Sequence, residues 1–293
     1  MSSFLQKFIF DKLPVKGSFV NLTDVWQKIS QQQAYPTSMN QLVGELLVAN
    51  ILLTSNLKLD GKVICQIQNS EFFRLVVSEC SSKLETRATA KFDAVSMAST
   101  DYTTLLSSGS LVVSIDSHGD GQLYQSIIAF NGNHIDEILN NYMTQSEQLR
   151  SLFIIAFSEN QVSGFMLQQL PDVHSMHTDE IDRIFMLAET LTKSELLHND
   201  SETILYKLFH EDDVRILDAH NICFKCTCNK LRISEILCNL GKQELEDMIR
   251  EQGDISVNCE YCNSKYDFSK SNLEELVLQI SLDEMKPVSH QIN

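Results

Sequence analysis

Apolar residues follow two different patterns along the chain. Between residues 37 and 58 they occupy nearly every face of a helix, as Met39, Leu42, Val43, Leu46, Leu47, Val48, Ile51, Leu52 and Leu53, with Glu45 and Asn50 as interruptions. A helix that is apolar all round is buried inside a domain, and Gly44 within it predicts a close neighbour. β-rich segments follow at 62–67, 72–77, 111–115, 123–130, 152–157 and 162–170, bounded by turn signals such as Ser117-His118-Gly119-Asp120-Gly121 and Asn131-Gly132-Asn133. Residues 134–148 have helical spacing through Ile135, Ile138, Leu139 and Tyr142. Strands in runs, with helices set apart, predict an α+β fold.

After Pro171 the pattern changes. Residues 172–220 hold twelve acidic and four basic side chains, so they carry a net −8 of the chain's −16. Ile181, Ile184, Phe185, Ala188 and Leu191 repeat at helical spacing behind Thr178-Asp179-Glu180, Thr192-Lys193-Ser194-Glu195 is a capping-box pattern, and Ile204, Leu205 and Leu208 form a further apolar face. Short amphipathic helices of one charge sign are held by packing and opposed by mutual repulsion. The segment is therefore expected to be a metastable helical linker.

The charge balance argues against nucleic acid as a partner, because no basic patch offsets 39 acidic residues with 23 basic ones. No basic segment followed by a sustained apolar stretch opens the chain, and residues 42–57 are too short and too interrupted to span a bilayer. A soluble, cytosolic protein without a membrane partner is expected. No GxSxG, P-loop, GxGxxG or HExxH motif occurs, so the common hydrolase and nucleotide-binding signatures are missing. His174 and His177 form an HxxH in a polar stretch and read as solvent-facing, and His210-Glu211-Asp212-Asp213 reads as an acidic helix end. Trp26 reads as core.

The eight cysteines are unevenly placed. Cys65 and Cys80 lie in β-rich segments and read as small buried hydrophobes, whereas six lie between Cys223 and Cys262. Cys226-Thr227-Cys228, thirty residues, then Cys259-Glu260-Tyr261-Cys262 supply two close thiol pairs, the donor set of a tetrahedral zinc site. Ile255, Val257, Tyr266 and Phe268 alternate around the second pair and predict a hairpin, while helices are expected at 232–237 and 243–251 and after a Ser271-Asn272-Leu273-Glu274 cap. Cys223-Phe224-Lys225-Cys226 is also a CxxC, so spacing leaves the ligand set open, and four thiolates would equally suit an iron–sulfur cluster. A CxC closes only a strained, labile disulfide, and the neighbouring Lys225, Lys230 and Lys265 would favour reactive thiolates. A module this small depends on its metal, worth about 10–16 kcal/mol in zinc-finger peptides.

Pieces spread over nearly the whole chain resemble the redox-regulated heat-shock protein 33 family, the 33 kDa chaperonins. They are Tyr35-Pro36, Gly44-Glu45-Leu46-Leu47, Leu57-Lys58-Leu59-Asp60-Gly61, Ser146-Glu147-Gln148-Leu149, Gly164-Phe165-Met166-Leu167-Gln168-Gln169-Leu170-Pro171, Leu187-Ala188-Glu189-Thr190-Leu191 and Leu208-Phe209-His210-Glu211-Asp212-Asp213-Val214-Arg215, in addition to the cysteine pairs. The chain departs from the family pattern at Asn229-Lys230-Leu231-Arg232, where a Ser-Arg-containing basic run is usual, and in the extra thiols Cys223 and Cys238.

The resemblance selects Cys226, Cys228, Cys259 and Cys262 as ligands for Zn2+. It implies a non-enzymatic holdase, inactive when reduced and zinc-bound. Oxidation would form Cys226–Cys228 and Cys259–Cys262 disulfides, expel the metal, unfold the C-terminal region and expose apolar surface to unfolded clients, with a homodimer as the active form. The organisation expected is an α+β core domain of mixed sheet and helix at 1–175, an acidic helical linker at 176–222 and a four-cysteine zinc domain at 223–293. Phe185, Met186, Leu191, Leu197 and Phe209 are the linker residues expected to be uncovered. Two other readings of the cysteines are a thiol–disulfide oxidoreductase using the CxxC and a non-redox zinc ribbon that docks a partner.

Overall fold

The computed structural model describes residues 2–69, 72–93, 100–117, 123–147, 150–171 and 178–284. The chain divides into two compact units, Met1–Lys225 and Cys226–Asn293.

The larger unit is built on two sheets. Strands β1 (Phe4–Phe10), β2 (Val15–Leu22), β8 (Ser151–Phe157), β9 (Val162–Gln169) and β10 (Val214–Asn221) form a five-stranded antiparallel sheet in the order β10-β1-β2-β9-β8. Strands β3 (Gly61–Asn69), β4 (Phe73–Ser81), β5 (Glu85–Phe92), β6 (Ser110–Ser117), β7 (Leu123–Ala129) and the two-residue β11 (Cys223–Phe224) form a six-stranded sheet in the order β11-β5-β4-β3-β6-β7. A short helix α1 (Asp24–Ser30) follows β2 and buries Trp26, whose indole N–H donates to the Glu159 carbonyl at 3.0 Å.

Helix α2 (Thr37–Asn56) touches strands of both sheets, which is why apolar residues surround it. Its polar interruptions are satisfied. Asn50 Nδ2 donates to the carbonyls of Val63 (3.2 Å) and Ser78 (2.8 Å), tying the helix to β3 and β4. Buried Glu45 accepts from Gln41 at 2.8 Å and from the hydroxyl of Tyr102, which lies on the single-turn α3 (Tyr102–Leu105). Gly44 fulfils its expected role, since a Cβ there would stand 2.9 Å from Val162 and 3.3 Å from Trp26. Gly164 on β9 is tighter still, with Val48 2.3 Å from the site of a Cβ.

The expected 134–148 helix is α-helical as α4 (Ile135–Tyr142) and continues as a π-turn at Met143–Glu147. The acidic segment forms α5 (Thr178–Glu189), α6 (Lys193–His198) and α7 (Ser201–Phe209), and the Thr192–Glu195 capping box opens α6 as its sequence predicts. These helices lie on the face of the five-stranded sheet that α2 does not cover. There Ile181, Ile184, Phe185, Ala188, Leu191, Leu196, Ile204, Leu205 and Phe209 share a buried cluster with Phe8, Phe10, Phe19, Ile154, Phe165 and Leu167. Ion pairs take up part of their charge: Arg150 of the core pairs with Asp182 while stacking over Phe185, Arg183 pairs with Asp212 within the segment, and Lys193 lies 3.0 Å from buried Asp136 of α4.

One part of the expected helical linker is not helical. Residues Val214–Asn221 form β10, paired antiparallel with β1 from Phe4↔Asn221 to Phe10↔Val214. Almost all of its side chains are exposed, so backbone pairing rather than an apolar stripe holds it in place.

Gly164→Ala should cost about 1–3 kcal/mol in urea unfolding, because α2 and β9 must separate to admit a methyl group. A second prediction concerns pH. The Glu45 carboxylate, 3.9 Å from His134 Nδ1, raises the imidazole pKa above its ordinary value. The charged imidazole therefore adds stability that is complete below the unfolded-state pKa of about 6.5 and is lost as pH rises through the higher folded value. Accordingly, His134→Asn should destabilise most at acidic pH, with the gap narrowing above neutrality in parallel unfolding titrations.

Candidate functional site

In the smaller unit, two short loops bring four thiols together. The first loop carries Cys226 and Cys228 and ends where Asn229 caps α8 (Lys230–Cys238), its side chain accepting from the Arg232 N–H at 2.8 Å. Arg232 returns to donate to Thr227 Oγ1 at 2.6 Å, bracing the residue between the two cysteines. The second loop joins β12 (Ile255–Asn258) to β13 (Lys265–Phe268), the predicted hairpin. Its turn is closed by Cys259 N–H to Ser264 (2.9 Å) and Asn263 N–H to Cys259 (2.7 Å). Asn263 takes the left-handed φ of 53° that asparagine tolerates.

The loops are supported by α8, α9 (Lys242–Gln252) and α10 (Lys270–Glu284) around six buried side chains, Ile233, Leu237, Leu245, Ile255, Phe268 and Leu273. The last helix is capped through Ser269, whose hydroxyl accepts from Asn272 N–H at 3.3 Å, two residues before the expected Ser271.

The Sγ atoms of Cys226, Cys228, Cys259 and Cys262 all lie within 4.8 Å of one another. Cys226 and Cys259 are 3.6 Å apart, and Cys228 and Cys262 3.2 Å. A tetrahedral ion with metal–sulfur bonds of about 2.3 Å needs sulfurs about 3.8 Å apart, so this spacing and this donor set fit a thiolate-bound metal. Among the described residues no other group of His, Cys, Asp and Glu is so arranged. No disulfide joins any of the eight cysteines.

Burial pushes the Cys226, Cys228 and Cys259 thiols up. Burial acts on Cys262 in the same direction, but hydrogen bonding with Ser264, whose Oγ lies 3.2 Å from the Cys262 Sγ, and with neighbouring thiols outweighs it and brings that thiol down to about 7. Cys262 is thus the first to carry charge. The Tyr266 hydroxyl donates to Cys228 Sγ at 3.1 Å, and this contact pushes its own pKa up to about 12.

The lysines expected to activate the thiols are engaged elsewhere. Lys225 pairs with Glu85 at 2.6 Å, Lys265 with Asp267 at 3.1 Å, and Lys230 reaches Asn272 at 3.3 Å. Hydrogen bonding with Ser264 lowers the Cys262 thiol instead, whereas the bond from Tyr266 to Cys228 does not outweigh burial. Tyr266 was legible only as part of the alternating hairpin pattern, and Ser264 carried no signal at all.

Cys223 lies outside the cluster. It belongs to β11, paired with Glu85 of β5, so the alternative Cys223–Cys226 ribbon is not assembled. Cys238 ends α8. Cys65 and Cys80 are fully buried in the sheet, and burial drives both thiols far up, Cys80 to about 12, as expected of inert core residues. Among the linker residues, Phe185, Leu191 and Phe209 are buried and Leu197 partly so, whereas Met186 is 60% exposed already. Leu196, which the sequence did not single out, is fully buried beside them. Cys259 and Cys262 occupy a hairpin loop, not the helix start that a CxxC oxidoreductase uses to lower a thiol pKa. His210 caps the end of α7, and Asp213 pairs with Lys12 at 2.5 Å, so the acidic run is a helix end as read. His174 and His177 fall outside the described residues. No described helix is long and apolar enough to cross a membrane.

The fold and the whole-chain pattern have close counterparts. The crystal structure of a 33 kDa chaperonin (heat shock protein 33 homolog) from Thermotoga maritima superposes with a TM-score of 0.81 over 96% of this chain and 99% of that one, at 24% identity, a likeness of fold. Proteins named 33 kDa chaperonin from Chromobacterium violaceum (37% identical over 273 residues, 93% of this chain and 92% of that protein) and Pseudomonas savastanoi pv. phaseolicola (35% over 295 residues, 99% and 98%) align along almost their whole length. Those relatives are named for chaperone function rather than for a reaction. Since the family model described as Hsp33 protein also matches residues 3–269, spanning both the doubly covered sheet and the four-thiol cluster, this chain belongs to the Hsp33 family of chaperones.

Proposed function

We propose that this chain is a redox-regulated holdase of the cytosol, held inactive while its four C-terminal thiols bind Zn2+ and activated when they are oxidised. The observation that carries the reading is the double covering of the five-stranded sheet. One face packs permanently against α2, whereas the other, with Phe8, Phe10, Phe19, Ile154 and Phe165, is covered by three short acidic helices. A removable apolar cover is what a latent surface for unfolded chains requires.

Bound at Cys226, Cys228, Cys259 and Cys262, zinc would supply the small unit with folding free energy that a core of six side chains does not. Oxidation removes the donors. In each pair two thiols give up two electrons and two protons to a peroxide-class oxidant, which leaves as water, and a sulfur–sulfur bond forms. The family resemblance assigns these bonds as Cys226–Cys228 and Cys259–Cys262. In the folded cluster the short contacts run across the two loops, so the assigned pairing would accompany opening of the cluster. Once the switch has unfolded, α5 to α7 lift, and Phe185, Leu191, Leu197 and Phe209 become available together with the sheet face beneath them. On this reading residues 1–175, 176–222 and 223–293 act as core, linker and switch, unfolded proteins are the partners, and the oxidised form is a homodimer. Neither nucleic acid nor membrane is a partner.

Purified protein should carry one zinc per chain when reduced. Peroxide with mild heat should release it with loss of about four thiols, while suppression of client aggregation appears in the same samples. Retention of the metal without any protection would sink the reading, and peptide mapping of the disulfides decides the pairing. A second expected outcome is that changing Phe185 and Leu191 together to Ser, which loosens the cover, gives partial protection before any oxidant is added. Reduced double variant that is less stable to heat yet as inactive as wild type would show that the covered face is not the client surface.

A further inference from the structure

Where α6 meets the permanent core, titratable groups from four elements converge. Glu45 of α2 and Asp136 of α4 are buried carboxylates, His134 immediately precedes α4, Tyr102 stands on α3, and Lys193 is the first residue of α6. One Asp136 oxygen accepts from the Ile155 N–H of the core at 3.0 Å and lies 3.0 Å from the Lys193 ammonium of the cover. Glu45 accepts from Gln41 and Tyr102 and lies 3.9 Å from His134 Nδ1, too far for a hydrogen bond. That nitrogen is buried and has no hydrogen-bond partner. The imidazole stacks on the Tyr102 ring with centroids 5.1 Å apart. Glu137, the other acidic group in the first turn of α4, is taken up by the Asn133 N–H at 2.7 Å.

Near neutral pH the charge of this cluster turns on one group. Tyr102 stays neutral, because burial and the Glu45 carboxylate push its hydroxyl well above the ordinary range. With His134 neutral, two carboxylates face the single ammonium of Lys193; with His134 protonated, they face two cations. Those cations repel each other, and the Lys193 charge works against protonation of the imidazole. Such coupling is reciprocal, so a proton on His134 weakens the hold on Lys193 by the same factor. The two cations also differ in attachment: His134 belongs to the core with Glu45 and Asp136, whereas Lys193 leaves with α6.

We infer that His134 and Lys193 form a proton-linked latch, in which protonation of His134 weakens the Lys193–Asp136 clasp and makes α6 easier to lift as pH falls through the neutral range. Lifting α6 removes Lys193 and leaves both carboxylates beside the imidazole, so His134 holds its proton more tightly in the lifted form. Its pKa in the docked form is already raised above the ordinary 6.5 by Glu45. Proton uptake on lifting therefore falls between that raised value and a higher one: lifting is most favoured below both and gains nothing above both. The same proton has the opposite effect on the core, which its attraction to Glu45 stabilises, so the clasp loosens without the core following. The inference rests on the proposed holdase function only for what lifting uncovers. Acid would then act on the cover through α6, and oxidation through the C-terminal thiols.

The test follows amide hydrogen exchange in full-length, reduced, zinc-loaded protein between about pH 8 and about pH 6, expressed as protection factors corrected for the intrinsic exchange rate. In the wild type, protection of α6 should fall at least about threefold toward acid, the size expected of one partly screened charge pair. Lys193→Gln should lower α6 protection about three- to tenfold throughout and abolish its dependence on pH. His134→Asn should abolish the dependence as well; Lys193 is half exposed, so its variant keeps the test decisive should the core of His134→Asn be too unstable. Wild-type protection that stays level, or a slope that survives in either variant, overturns the inference. So does protection of α2 that falls in step with α6, because the proton would then act on the whole unit. Suppression of client aggregation after oxidation, measured in the same preparations, reports on the holdase function separately: a pH-linked α6 without any such suppression keeps the latch and removes the holdase.

Discussion

The five-stranded sheet is apolar on both faces, and the larger unit is organised by the need to cover each of them. The two covers differ in kind. α2 is a twenty-residue helix locked between two sheets, with its buried Asn50 and Glu45 satisfied and its backbone close enough to β9 that only glycine fits at 164. The other cover consists of three helices, none longer than twelve residues, from an acidic stretch of the chain. Helices of that length are marginal alone, and repulsion among them subtracts from what burial contributes. Arg150, Arg183 and Lys193 return some of that loss. The two faces are thus covered by elements of unequal intrinsic stability.

The smaller unit is conditional for a different reason. Its core of six buried side chains is modest, and its two cysteine loops, some thirty residues apart in sequence, meet at four sulfurs within 4.8 Å of one another. The local geometry serves those sulfurs: Asn229 caps the helix after the first pair, Asn263 permits the tight turn after the second, and Ser264 and Tyr266 hydrogen-bond two of them.

Much of this was legible in the residues. The all-round apolar helix, the Thr192–Glu195 capping box and the hairpin around Cys259 and Cys262 carry strong local signals, and the cysteine spacing together with the family resemblance identified the four that cluster. The strands at the N-terminus and at Val214–Asn221 left weaker traces. β2 is buried on both faces, so it shows no alternation, and β10 is exposed along nearly its whole length, so it shows no apolar pattern. Both are held by partners distant in sequence, which local periodicity cannot register. In the site, the lysines near the cysteines suggested activation by positive charge, but proximity along the chain is not proximity in space. Asp267, Glu85 and Asn272 occupy them, and the one lowered thiol, Cys262, owes its shift to hydrogen bonding with Ser264 and the neighbouring thiols.

The pairing of β10 with β1 gives the acidic helices a property that neither cover nor switch alone would confer. They run between β9 and β10, two strands of the sheet they lie on, so the segment is anchored at both ends. Lifting it opens a loop rather than freeing an arm. Loop closure costs grow only slowly with length, and a tethered segment revisits its docking face at an effective concentration in the millimolar range. While β9 and β10 stay paired in the sheet, the segment remains a permanent, intramolecular occupant of that face.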